Sequence, residues 1–128
     1  MTIKIYPAVF ETDPVGFGVY FPDVSGASTQ GADLTEAYEM ASDALGIMLA
    51  DLIERGGDLP KASDVKKIET SENEFVSLVS VDLSEYLEMN KLVKKNLTIP
   101  LWADKRAKDM GLNFSQTLTE AILEKAEA

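Results

Sequence analysis

The chain has 128 residues, of which 45% are apolar and 27% charged, and it contains neither cysteine nor histidine. This composition is typical of one small folded domain or two smaller units. It excludes disulfides, cysteine-based zinc sites and histidine as a general base. The sequence has no run of about 18 apolar residues and no signal-peptide pattern. We therefore expect a cytoplasmic protein that uses no metal and no cofactor.

The formal net charge of −10 is distributed unevenly along the chain. Residues 1–90 contain five bases against seventeen acids, a net charge of −12, whereas residues 91–128 contain seven bases against five acids, a net charge of +2. A charge asymmetry of this size indicates two kinds of partner. An acidic surface that only keeps the protein in solution is the alternative explanation.

Residues 1–82 predict three strands, one long helix and a fourth strand, the order of a small α+β unit. Asp33 and Glu36 form a capping box at the start of the helix, and Gly56 ends it about 22 residues later. Pro7 cannot donate to a β ladder, so the first strand should lie at a sheet edge there or contain a bulge. Alternating apolar and β-branched residues predict the strands at 3–10, 17–21, 27–30 and 75–81.

Short motifs in these residues closely resemble those of HicB-type antitoxins. In chain order they are YPAVFE at 6–11, FPDVSG at 21–26, TQG at 29–31 and LTEA at 34–37. The resemblance covers about residues 5–60 and implies a partial, degraded ribonuclease-H-like fold. Ser25 and Ala27 stand where the family often has proline and cysteine. Gly26 between them is kept, so we expect this turn to be preserved.

A degraded nuclease fold raises the question of residual catalysis. Two-metal hydrolysis of a phosphodiester needs several carboxylates that converge on divalent ions. The predicted strands 3–10 and 17–21 contain no acid, and the other acids lie on turns or on the polar side of the helix. We therefore predict no catalytic residue and no enzymatic activity, with a degenerate ribonuclease-H-like nuclease as an alternative.

A linker helix is predicted over 83–92, beginning at a second capping box. Residues 93–128 then predict a strand and two short helices. Pro100 suits the first position of a helix, Gly111 the residue after its end, and Asn113 the N-cap of the next helix. So few residues bury too little apolar surface to be stable alone, and a lone strand leaves both edges unpaired. We therefore expect a homodimer in which two chains pair these strands.

This arrangement resembles the ribbon-helix-helix repressors, and the match covers residues 94–125. The resemblance implies a two-stranded ribbon that enters the major groove of operator DNA at an inverted repeat. It places base reading on Lys94, Asn96 and Thr98. The backbone amides that suit a DNA phosphate are those near Asn113, Phe114 and Ser115. The predicted dimer core consists of Leu97, Ile99, Trp102, Leu118 and Ile122.

The two resemblances together imply a HicB-type antitoxin. Such a protein binds and neutralises a small basic HicA-like toxin, an mRNA-cleaving ribonuclease, and represses its own operon. The acidic residues 1–90 would complement the basic RNA-binding surface of the toxin. The turn from Phe21 to Gly26 is the candidate toxin contact, and a higher toxin–antitoxin assembly stays open. A metabolite-sensing ribbon-helix-helix repressor without a toxin partner is the main alternative.

Overall fold

The computed structural model describes residues 2–87 and 93–126. Four antiparallel strands form one sheet: β1 (Ile3–Asp13), β2 (Gly16–Tyr20), β3 (Ser28–Gly31) and β4 (Glu74–Asp82), in the order β3-β2-β1-β4. The helices are α1 (Leu34–Glu54), α2 (Leu101–Asp109) and α3 (Phe114–Lys125), with 3-10 turns at Val65–Lys67 and Leu83–Glu85. The predicted α+β class is confirmed. Within the described part of the chain, no helix has the length and apolar content needed to cross a membrane.

β1 is one of the two inner strands of the sheet and pairs with both β2 and β4. Its ladder with β4 runs along residues 3–11, whereas β2 pairs only with residues 9–13. Pro7 therefore lies where β1 has a paired neighbour on one side only, as its missing N–H requires. β1 extends further than predicted because the carboxylate of Asp13 closes the turn into β2, accepting hydrogen bonds from two turn amides at 2.8 Å each.

α1 covers one face of the sheet and begins where the sequence predicts. The carboxylate of Asp33 accepts a hydrogen bond from the amide of Glu36 at 2.8 Å, and Glu36 in turn accepts one from the amide of Ala32 at 3.0 Å. Gly56 follows the helix with a φ of +79°, a conformation that favours glycine. The helix therefore has the predicted signals at both ends.

The core lies between α1 and the even-numbered residues of β1. Phe10 stacks on Phe75 with ring centroids 5.2 Å apart. Leu123 of α3 is also buried in this core, and the amide of Leu59 donates to the carbonyl oxygen of Ala126 at 3.3 Å. The helix contributes small and medium-sized apolar residues to the core: Ala37, Ala41, Leu45, Leu49 and Ala50.

The chain just after β4 belongs to the core and does not form the predicted linker helix. Leu83 is fully buried, and the ring of Tyr86 packs so closely on Gly46 that a Cβ there would lie 2.6 Å from it. Residues 83–87 therefore contain only one 3-10 turn, Leu83–Glu85, because Leu83 and Tyr86 pack onto the lobe and α1. We call residues 2–87 the N-terminal lobe. The remainder of the predicted linker, 88–92, lies outside the described residues.

Two strand glycines differ in the space around them. A Cβ added to Gly31 of β3 would lie 2.4 Å from the backbone nitrogen of Ala37, since this strand runs directly against the first turn of α1. A Cβ added to Gly18 of β2 would have no atom within 4 Å. The close approach of strand and helix therefore depends on Gly31 and not on Gly18.

Gly31→Ala should lower the free energy of unfolding by about 1–3 kcal/mol, because the backbone of α1 must move away from the added methyl group. The matched variant Gly18→Ala should change it by about 0.5 kcal/mol or less. Urea unfolding followed by circular dichroism measures both values. Equal effects of the two variants would contradict the close contact between β3 and α1.

Candidate functional site

The C-terminal segment, residues 93–126, contains the two helices and the turn that the sequence predicts. Pro100 occupies the N-cap of α2, one position earlier than predicted. Gly111 follows α2 with a φ of +68°. Asn113 caps α3, because its side-chain oxygen accepts a hydrogen bond from the amide of Gln116 at 3.0 Å. The helix boundaries thus follow from local signals.

The residues predicted to form a dimer core are exposed in the single chain. Trp102 is 72% exposed and Leu97 is 65% exposed. Among the described residues of the two short helices, only Leu123 is buried. A core around Trp102 is therefore absent within one chain, since two short helices cannot enclose these side chains by themselves. We call the five exposed residues the C-terminal apolar residues: Leu97, Ile99, Trp102, Leu118 and Ile122.

The predicted base-reading residues lie in a part of the chain without regular structure. Lys94, Asn96 and Thr98 are exposed, and residues 93–100 form neither helix nor strand. The predicted strand is absent because a strand needs a hydrogen-bonded neighbour, and the sheet of the described chain contains only β1 to β4. One chain therefore does not assemble these three side chains into a groove-reading surface.

Asn113, Phe114 and Ser115 lie at the N-terminus of α3, and all three are exposed. The first amides of a helix have no partner within the helix, and the positive end of its dipole lies at the same place. The cap bond of Asn113 satisfies the amide of Gln116. The geometry is that of an ordinary capped helix start that is open to solvent.

The turn from Phe21 to Gly26 is folded against α1. Phe21 and Val24 are buried, and a Cβ at Gly26 would lie 3.1 Å from the Cε atom of Met48. Gly26 has a φ of +84°, so the turn is preserved as expected. The sequence-based prediction of an exposed contact here is wrong for Phe21 and Val24, because both side chains point into the core.

The sheet face opposite α1 carries apolar side chains that sequence reasoning did not single out. Successive residues of a strand point to opposite faces, so the odd-numbered residues of β1 and their cross-strand partners share this face. Leu78 is 54% exposed, whereas Pro7 and Val9 are fully buried at the floor of the face. The alternation of side chains along residues 3–10 predicts that the strand has two faces. It does not tell which of the two faces a helix covers. We call these residues the outer sheet face: Ile3, Ile5, Pro7, Val9, Tyr20, Val76 and Leu78.

The charged residues that the strands themselves place on this side of the sheet are acids, and Lys61 lines a pocket together with Ile3 and Ile5. Glu11 and Glu74 are direct cross-strand partners in the ladder between β1 and β4. Hydrogen bonds from the amide and hydroxyl of Ser71 hold the pKa of Glu74 below its usual value. A hydrogen bond from the hydroxyl of Ser84, with one from a backbone amide, lowers the pKa of Asp82. The lowered pKa values keep the carboxylates of Glu74 and Asp82 ionised at neutral pH.

The last described residues of the N-terminal lobe are held against α1. The hydroxyl of Tyr86 donates a hydrogen bond to the carboxylate of Asp43 at 2.8 Å. Burial, together with the hydrogen bond and negative charge of Asp43, raises the pKa of Tyr86 to about 12. The hydroxyl therefore keeps its proton at neutral pH, and the bond holds the end of the lobe in place.

Within the described ranges 2–87 and 93–126, no three Asp or Glu residues lie close enough together to hold a metal ion. Two-metal hydrolysis depends on such a cluster. The described residues therefore give no support to the nuclease alternative.

Comparison with known proteins identifies the family. Residues 6–125 match the HicB-like antitoxins of bacterial toxin–antitoxin systems. The chain belongs to this family. The resemblance of residues 5–60 to HicB-type antitoxins is thereby confirmed.

Solved structures of HicB antitoxins and their complexes are similar to this HicB-like chain. A chain of a toxin–antitoxin complex from Streptococcus pneumoniae is 43% identical, with a TM-score of 0.63 and coverage of 97% of this chain and 99% of that one. The antitoxin HicB of Burkholderia pseudomallei is 27% identical, with a TM-score of 0.64 and coverage of 95% and 98%. A chain of a HicA3–HicB3 toxin–antitoxin complex is 25% identical, with a TM-score of 0.53 and coverage of 62% and 99%.

Proposed function

We propose that the protein neutralises a small basic mRNA-cleaving toxin of the HicA type and, as a homodimer, represses its own operon by binding operator DNA. Membership of the HicB-like antitoxin family supports the first role most directly. Two of the similar structures are toxin–antitoxin complexes, one of them of HicA3 with HicB3. Both roles are regulatory and need no catalytic residue, and we place them in the cytoplasm.

The charge of the N-terminal lobe supports its assignment as the toxin-binding part. A ribonuclease must be positively charged where it holds the phosphates of RNA. The first 90 residues have a net charge of −12, so they attract a protein of that kind and speed its association. We assign toxin binding to residues 1–87 and not to 1–82, because Leu83 and Tyr86 pack on the lobe. The β-β-β-α-β order of this lobe is compatible with a partial ribonuclease-H-like fold.

The C-terminal apolar residues support a ribbon-helix-helix dimer. Exposed large apolar side chains that lie close in sequence are typical of an interface. If two chains pair residues 94–99 antiparallel, each strand gains a neighbour, and Leu97 and Ile99 are buried between the chains. Lys94, Asn96 and Thr98 then face outward on a ribbon that fits the major groove. The helix start at 113–115 is free to bind a DNA phosphate.

Leu97→Asp should convert the dimer into a monomer and abolish operator binding, because a carboxylate would be buried between the paired strands. Val15→Asp places the same charge at an exposed position of the turn between β1 and β2, and should leave both properties unchanged. Sedimentation measures the mass of each variant. An unchanged dimer in Leu97→Asp would contradict the proposed dimer core.

Asn96→Ala and Thr98→Ala should each weaken binding to the inverted repeat upstream of the gene by about 1–3 kcal/mol, since each removes a base contact. Binding to random DNA of the same length should change little. Lys94→Ala should weaken binding to both DNAs if its ammonium group also reaches a phosphate. If both Asn96 and Thr98 can be replaced without loss of specific binding, the ribbon does not read the groove.

The toxin-binding role is tested with the full chain and the small basic ribonuclease encoded beside its gene. Cleavage of a labelled RNA by the ribonuclease should stop when the chain is added in equal amount. Association of the two proteins should become slower as salt is raised, because charge attraction speeds the encounter. Undiminished cleavage at an excess of the folded chain would contradict the antitoxin role and favour the metabolite-sensing repressor.

A further inference from the structure

We propose that the outer sheet face is the surface on which the basic toxin docks. This inference rests on the antitoxin function proposed above and specifies which part of the N-terminal lobe carries it. It replaces the turn from Phe21 to Gly26, in which Phe21 and Val24 are buried.

The shape of the outer sheet face favours a protein partner. Ile3, Ile5 and Leu78 are about half exposed around a floor made by Pro7 and Val9, which are fully buried. Exposed apolar side chains that lie side by side over buried apolar residues form one patch. Single exposed apolar residues, in contrast, are common on protein surfaces. Continuous apolar patches on soluble proteins mark interaction sites.

The edge of β4 is closed to a partner strand at Ser80. The amide of Ser80 donates to the hydroxyl of Tyr38 at 3.2 Å, and its carbonyl oxygen accepts a hydrogen bond from the hydroxyl of Ser42 at 2.7 Å. These side chains of α1 occupy the backbone groups that an added strand would use. A partner therefore binds this side of the lobe through the face of the sheet and not by extending it at this point.

The charges around the outer sheet face determine the kind of partner. Lys4 is the only base within β1 to β4, and the register directs it toward α1. Lys61 lines a pocket with Ile3 and Ile5 at one end of the face, and the acids outnumber it. Glu11 and Glu74 are direct cross-strand partners, so two acidic residues lie side by side at one end of this face. Acidic residues at this place attract a basic partner, whereas a second copy of this acidic lobe would bring like charges together. The acids on this side of the sheet are Glu11, Asp13, Glu74 and Asp82.

The apolar part of the surface is tested in the full chain with Leu78→Arg. This change adds a positive charge and a bulky side chain within the proposed contact, so the dissociation constant for the ribonuclease encoded beside the gene should rise at least tenfold. Ile47→Arg makes the same kind of change on α1 at a side chain of similar exposure, 53% against 54%. This control should alter the dissociation constant less than twofold.

The contribution of the acids beside the outer sheet face is tested with Glu11→Lys. This change leaves every apolar residue of that face in place. The dissociation constant should rise at least fivefold. Glu39→Lys changes the net charge of the lobe by the same amount at an exposed position of α1, and should alter it less than twofold. A larger dissociation constant for Glu11→Lys than for Glu39→Lys would show that Glu11 acts through a local contact with the toxin. Equal dissociation constants would show that only the net charge of the lobe matters. Operator binding and the melting temperature of every variant verify that it is folded.

The outcomes separate this inference from the antitoxin function. If the unchanged chain binds the ribonuclease and both variants bind it as tightly, the docking surface is wrong and the antitoxin role stands. If the unchanged chain does not bind, both are wrong. If Leu78→Arg lowers the sedimenting mass of the chain by itself, a second copy covers this face and the toxin does not. Loss of binding confined to Leu78→Arg and Glu11→Lys supports the proposal.

Discussion

The packing of one helix on one face of a four-stranded sheet is the constraint on which the rest of the molecule depends. α1 is the only long helix in the described chain, and its small side chains allow β3 to approach it so closely that Gly31 has no room for a Cβ. One helix covers one face, so the outer sheet face keeps apolar side chains such as Leu78 in contact with water. The lobe therefore has a stable core and an uncovered apolar surface at the same time.

The C-terminal segment differs from the N-terminal lobe in its packing. It has well-formed helix ends but no core of its own, because its large side chains, Trp102 among them, remain exposed and only Leu123 is buried. In the proposed function a partner covers each of these surfaces, and charge distinguishes the partners. We assign a basic protein to the acidic lobe and DNA to the more basic C-terminal segment of two paired copies. On this account one small chain holds two binding activities in separate parts.

Local signals in the sequence predict most of the regular structure. The cap at Asp33, the glycine at Gly111 and the cap at Asn113 all occupy the predicted positions, because these bonds form within a few residues. The same capping pattern at residues 82–85 gives only a 3-10 turn, since burial of Leu83 on the lobe outweighs local preference. The strand predicted over 94–99 does not form in the single chain, and in the proposed dimer it would need a second chain as its hydrogen-bonded neighbour.

The candidate surfaces were predictable to different degrees. Motifs identified the family, and alternation placed Leu97 and Ile99 on one side of a strand. The outer sheet face was missed because Ile5 and Tyr6 are both apolar, and only the position of α1 shows which of them is covered. The turn at Phe21 was misjudged because its contact with the core joins residues that are distant in sequence.

The separation of the two activities is tested most directly with a fragment that ends at Leu87, after the last described residue of the lobe. Circular dichroism first establishes that the fragment is folded. We expect the fragment to suppress RNA cleavage by the ribonuclease encoded beside the gene as well as the full chain does, and not to bind operator DNA. A folded fragment that leaves RNA cleavage unchanged, while the full chain suppresses it, would contradict the assignment of toxin binding to the N-terminal lobe.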